Sequence, residues 1–203
     1  MKAFPDPSNS PARYTRSLTI IGLRPVTAAG ADAGRWIRAF CKVVHLHVGT
    51  CGLGDDQVSL VPLHGLSPSI KSLRLESTHD RPSEVLSLMC SFPLLEDFAL
   101  LVFDSGNEID GYTIPLTSPR LTGSLELRST VGGIGPITRR LLELPNGLKF
   151  TKFVLVFIDG VDPEAATDLV SRCSNTLESL DVTGYSPGLF PPVPVPDRNL
   201  TIA

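Results

Sequence analysis

The stretch Val43-Val44-His45-Leu46-His47-Val48-Gly49-Thr50-Cys51-Gly52-Leu53 admits two readings. His45, His47 and Cys51 are residue types that ligate metals. Leu46 and Val48, separated by one residue, are the signature of a short strand with one buried face. Whether the apolar pair recurs along the chain decides between them.

It occurs seven times in all. Leu18-x-Ile20, Leu46-x-Val48, Leu73-x-Leu75, Phe98-x-Leu100, Leu125-x-Leu127, Phe153-x-Leu155 and Leu180-x-Val182 follow at spacings of 28, 27, 25, 27, 28 and 27 residues. Such a period lies within the roughly 20–29 residues of a leucine-rich repeat. The repeat pattern L-x-x-L-x-L-x-x-N/C-x-L is met in full by Val43, Leu46, Val48, Cys51 and Leu53. Shorter matches open at Ile70, Leu95, Phe150 and Leu177, while Thr78, Phe103, Thr130 and Tyr185 replace the Cys51 position. The expected fold is therefore an α/β right-handed leucine-rich-repeat solenoid of about seven irregular repeats, with a parallel concave sheet and convex helices or irregular segments. One such unit cannot bury its apolar face alone; stacked units share a continuous core.

Segments between the strands supply candidate helices. Asp32–Phe40 carries Trp36, Ile37 and Phe40; Arg81–Phe92 offers Ser83 as an N-cap with Val85, Leu88 and Met89 on one face. Pro136–Pro145 is shorter. Asp162–Ser174 begins with acidic residues and Pro163 and turns Ala166, Leu169 and Val170 inward. Asp104–Pro119, with Gly106, Gly111 and Pro115, reads as irregular. The domain plan is residues 1–14 disordered or irregular, 15–185 the repeat domain, and 186–203 a Pro-rich segment or incomplete further repeat.

Strand geometry then answers the metal question. Successive side chains point to opposite faces, so Leu46 and Val48 facing the core turn His45 and His47 away from it. Cys51 belongs to the following turn, where it is expected to be buried, so the three do not converge on the tetrahedron a zinc ion needs. His64 and His79 fall in connecting segments. No metal, cofactor or catalytic residue is expected. The enzymatic alternative is a metal-dependent enzyme using His45 and His47.

The same alternation lists the concave face. Its chemistry-bearing residues are His45, His47, Arg74, Glu76, Asp97, Glu126, Arg128, Lys152 and Asp181. Three basic residues against four acidic ones suit a protein partner and argue against a phosphate backbone. A net charge of −3 agrees in excluding a nucleic-acid or anionic-membrane partner, which would want a basic face. Met1–Ser17 lacks the apolar core of a secretory signal. Leu94–Phe103, the most apolar stretch, contains Glu96 and Asp97 and is too short to span a bilayer. An intracellular chain, cytoplasmic or nuclear, is expected, with Cys41, Cys51, Cys90 and Cys173 reduced and buried.

Other motifs carry less. Gly132–Pro136 is Gly-rich, but no Lys-Ser/Thr follows and Pro136 removes an amide, so it reads as a loop. Ser186–Pro196 reads as a loop or broken repeat, the alternative being a polyproline ligand.

The stretches HLHVGTCGL, IKSLRL, CSFPLLEDFAL and CSNTLESLDV resemble the leucine-rich-repeat region of F-box-like proteins of mushroom-forming fungi, in the ribonuclease-inhibitor-like horseshoe group. The resemblance runs from about Ser10 to the end. It implies a non-enzymatic protein-interaction module, the substrate-recognition part of an F-box-type ubiquitin ligase, with an adaptor bound by an F-box ahead of the repeats. Only about 15 residues precede the first expected strand, too few for an F-box, and no LPxE-like opening is present. Neither end supplies a polar-faced capping helix. The expectation is a fragment of a longer array, or a chain that self-associates through uncapped ends. A truncated structural repeat protein without a retained partner is the other alternative.

Overall fold

The computed structural model describes residues 10–21, 37–49, 60–76, 82–104, 118–131, 135–157 and 163–184. The strands are β1 (Ser17–Ile21), β2 (His45–Gly49), β3 (Ser72–Glu76), β4 (Asp97–Asp104), β5 (Ser124–Val131), β6 (Lys152–Phe157) and β7 (Ser179–Gly184). All seven apolar pairs of the sequence lie on them. They form one sheet in the order β1-β2-β3-β4-β5-β6-β7, every neighbouring pair parallel.

The register aligns the repeat laterally. Leu18, Leu46, Leu73, Phe98, Leu125, Phe153 and Leu180 stand side by side, and Ile20, Val48, Leu75, Leu100, Leu127, Leu155 and Val182 form a second ladder. From β2 to β6 no member of the first ladder is more than 2% exposed. At the outer strands Leu18, Ile20 and Val182 are only partly buried.

Parallel strands need crossovers, and crossovers of one hand in a sequentially ordered sheet all pass over the same face. Helices α1 (Pro82–Cys90), α2 (Gly135–Leu142) and α3 (Pro163–Arg172) make that layer, with a 3-10 turn at Val61–Gly65. The turn packs on α1, α1 on α2 and α2 on α3. Val85, Leu88, Met89, Ile137, Leu141, Ala166 and Leu169 join the strand ladders in one core. Covered parallel sheets bury both faces and have continuous apolar strands. Here the strands alternate, and no helix among the described residues covers the second face.

Three local expectations are corrected. Helix α1 starts at Pro82, so Ser83 lies inside its first turn and not at the cap; proline's fixed φ favours the first helical position. Gly135, read as loop, opens α2, and Pro136, read both as the loop's end and as the start of the short helix, stands second in it. Asp104, placed in an irregular segment, ends β4. Pro11–Tyr14 forms a 3-10 turn whose cap, Ser10, accepts a hydrogen bond from the Ala12 amide. The readings of residues 1–9, Asp32–Trp36, Cys51, His79, Gly132–Ile134 and 186–203 lie outside the described residues.

Strands β2, β3, β4, β6 and β7 begin on a repeated backbone clasp. The amides of Val44 and His45 both donate to the Arg16 carbonyl, those of Lys71 and Ser72 to Val44, and those of Glu96 and Asp97 to Lys71. Thr151 and Lys152 share Gly123, and Glu178 and Ser179 share Thr151. The step into β5 departs from this. The Gly123 amide donates to the Glu96 carbonyl at 3.0 Å, while the Ser124 amide donates to Asp97 Oδ1 at 2.7 Å.

Candidate functional site on the open sheet face

The sheet register sorts the open face into three rows. The first contains Ser17, His45, Ser72, Asp97, Ser124, Lys152 and Ser179; the second Thr19, His47, Arg74, Ala99, Glu126, Val154 and Asp181; the third Ile21, Gly49, Glu76, Leu101, Arg128, Val156 and Thr183. All nine residues singled out in the sequence stand in these rows. His45, Arg128 and Lys152 are exposed; His47, Arg74, Glu76, Asp97, Glu126 and Asp181 are half-buried.

Five of the nine, on β2, β3 and β5, are linked side chain to side chain. His47 Nε2 lies 3.2 Å from Glu76 Oε1. It is not aligned as a hydrogen bond, and the nitrogen has no contact with solvent. The same carboxylate oxygen accepts from Arg74 Nε at 3.2 Å. Arg74 Nη1 reaches to 3.8 Å from Glu126 Oε2, and Glu126 Oε1 accepts from Arg128 Nε.

The Arg74–Glu126 contact spans β4. Neighbouring strands lie about 4.8 Å apart, so β3 and β5 are separated by about 10 Å. The intervening residue in that row is Ala99, whose short side chain leaves the path clear. Exposed pairs contribute roughly 0–1 kcal/mol each. The network therefore fixes the pattern of charge on the face more than it stabilises the fold.

Asp97 has a second, structural task. Its Oδ1 accepts from both the Ser124 amide and the Ser124 hydroxyl, at 2.7 and 2.8 Å. Gly123 makes room for this: an added Cβ would collide with Asp97 Oδ1 and lie 3.2 Å from the Glu96 carbonyl oxygen. Asp97 is thus held as part of the β4–β5 junction, whereas His45, Lys152 and Asp181 have no charged partner among the described residues.

The sequence did not reveal three contributors. Ala99 as the gap under Arg74, Gly123 as the seat of Asp97, and Leu101, buried although its row faces outward, all emerge from lateral register. The signal was present: with the pairs aligned, Arg74, Ala99 and Glu126 share one row.

Cys90 and Cys173 are buried and their thiols are pushed up to about 11 by desolvation, partly offset at Cys173 by a backbone hydrogen bond at Phe150. Cys41, expected to be buried, is exposed; it precedes the buried Val43 in a segment whose carbonyl accepts from the Ser67 hydroxyl. Among the described residues no group of three His, Cys, Asp or Glu could hold a metal ion, and no helix is long and apolar enough to cross a membrane. Comparison with protein-family models, curated proteins and solved structures gives no match.

Proposed function

We propose that the chain is a right-handed leucine-rich-repeat solenoid whose open, concave sheet face binds a protein. It acts without catalysis or cofactor, as the substrate-recognition part of an F-box-type ubiquitin ligase in the cytoplasm or nucleus. The supporting observation is the charge chain Glu76–Arg74–Glu126–Arg128, with His47 beside Glu76, which presents alternating sign over a face that carries no described helix. Mixed sign fits the polar pattern of a protein surface and repels a phosphate backbone at Glu76, Glu126 and Asp181. The ligase setting rests on the sequence resemblance. Self-association through the ends is a subsidiary part of the proposal, supported by the half-buried Leu18, Ile20 and Val182 at the outer strands.

Proximity labelling in the source cells tests it. The chain, a face variant carrying Arg74→Glu, Arg128→Glu and Lys152→Glu, and a helix-layer variant Glu164→Lys serve as baits. The expected result is a set of proteins labelled by the first and third baits, lost with the second, and including a ligase adaptor. Labelling indifferent to the face variant sinks the binding reading. A face-dependent set without an adaptor removes the ligase setting alone. Sedimentation at rising concentration checks self-association; a monomer throughout refutes it.

A further inference from the structure

The open face is not uniform. On β2–β5 the charges are already committed: both Glu76 and Glu126 have two cationic or imidazole neighbours, and Asp97 is engaged by Ser124. A partner docking there would have to displace these contacts. On β6 and β7 the situation is reversed. Lys152 is exposed and Asp181 half-buried, and neither has a charged partner among the described residues. Beside them Val154 and Val156 face outward and are half-buried, two β-branched apolar side chains on one strand, next to the unpaired Lys152 and Asp181.

We infer that β6 and β7 form the recognition centre of the face, and that its occupant is a protein segment carrying an acidic residue, an apolar side chain and a basic residue in close succession. This rests on the proposed protein-binding role and deepens it. The apolar group sits on Val154 and Val156, the acidic group pairs with Lys152, and the basic group pairs with Asp181. The register supplies the spacing. Val154 is the lateral neighbour of Asp181 and lies two residues beyond Lys152. With about 3.3 Å per residue along a strand and about 4.8 Å between strands, Lys152 and Asp181 have Cα atoms about 8 Å apart. That is the reach of charged residues flanking one anchor. Opposite free charges at that distance also select the orientation of the segment, because reversing it places like charges together. A phosphate-rich partner is disfavoured by Asp181 and by Glu126 in the same row.

The probe is a phage-displayed library of random dodecapeptides, panned on the whole chain, with binding of the synthesised winners read by fluorescence anisotropy. Winners should carry Asp or Glu and Lys or Arg on either side of a branched or aromatic residue. Lys152→Glu and Asp181→Lys should each weaken binding at least tenfold. A winner with its two charges exchanged should bind the double variant Lys152→Glu/Asp181→Lys more tightly than it binds the unaltered chain. Circular dichroism melting of each variant shows whether it is folded. Winners without the charge pattern, no enrichment at all, or affinities unchanged in folded Lys152→Glu would overturn the inference. Loss of binding in the Arg74→Glu variant but not in Lys152→Glu would overturn it while leaving the open-face reading intact. Loss only in Glu164→Lys, on the helix layer, would remove both.

Discussion

The steps from β2 to β3 and from β4 to β5 make the same lateral move by different means. In the first, Ile70 stands three residues before Leu73, and one carbonyl, Val44, receives the amides of Lys71 and Ser72 at 2.8 and 3.1 Å. In the second, the buried apex is Leu121, four residues before Leu125. Leu121 sits above Leu95, donating its amide to the Leu95 carbonyl at 2.8 Å. The extra residue is absorbed by a left-handed turn at Leu121, φ 46°, and by the Asp97 carboxylate, which replaces a backbone carbonyl as acceptor for Ser124. A leucine in that conformation costs roughly 1–2 kcal/mol. Full burial of its side chain is worth about 1.5–3 kcal/mol, so burial wins. The apolar ladders fix the fold, and the connections adapt to keep them aligned.

The strongest way to break that comparison is to damage a ladder. Leu73 is fully buried at the centre, and Leu73→Ala should cost about 2–5 kcal/mol by chemical denaturation. Leu18→Ala, at the half-buried edge, should cost about 1 kcal/mol, the usual scale of a single substitution. Equal losses at the two sites would contradict a core that runs through the stack and thins at its outer strand.

The next effect belongs to the irregular junction. Gly123→Ala should destabilise by about 1–3 kcal/mol, as overpacking does, because its Cβ meets the Asp97 carboxylate. Asp97→Ala should itself cost about 1.5–3 kcal/mol, the worth of hydrogen bonds to a charged group. The double variant should lose less than the two single losses added together, since the collision has gone. Strict additivity across this cycle would mean that Gly123 is not there to seat Asp97.

The sequence exposed the ladders because their information is local: an apolar pair inside five residues, repeated at a near-constant interval. The two histidines were placed correctly on the outward face for the same reason, since alternation is a property of one strand. The connections were less legible. Leu121 was hidden because Thr122 occupies the position three before Leu125, and only a left-handed backbone brings its neighbour to the apex. The pairing of Arg74 with Glu126 joins residues on strands that do not touch, so no window of sequence contains it. Cys41 and Cys90 are the same residue type, yet one is exposed and the other buried; Cys90 ends α1 and joins the core, whereas Cys41 lies in the turn that leads into β2.

A smaller change sharpens the picture of adaptable connections. Thr138 in α2 is fully buried and its hydroxyl has no hydrogen-bond partner among the described residues. An unpaired buried hydroxyl costs about 1–3 kcal/mol. Thr138→Val replaces it with a methyl group of similar shape and should stabilise the chain by about 1 kcal/mol. A loss of stability would show that the hydroxyl has a partner after all, such as a buried water.

The smallest expected effect lies in the 3-10 turn that connects β2 to β3. Burial lowers the His64 pKa from its ordinary value of 6.5, and the Glu84 carboxylate on α1 partly opposes the shift. The folded chain therefore binds this proton less readily than the unfolded chain. The stability His64 contributes is complete above about pH 6.5, the unfolded value. It is lost as the pH falls through the lower folded value, because protonation then favours the unfolded state. The melting temperature of the wild-type chain, minus that of His64→Gln, should thus decline from pH 7.5 to pH 5. Subtraction removes the carboxylates common to both chains. Glu84→Gln should steepen the decline, since it removes the charge that favours protonated His64. A flat difference across this range would place His64 in contact with water and make the turn a looser connection than the helices beside it.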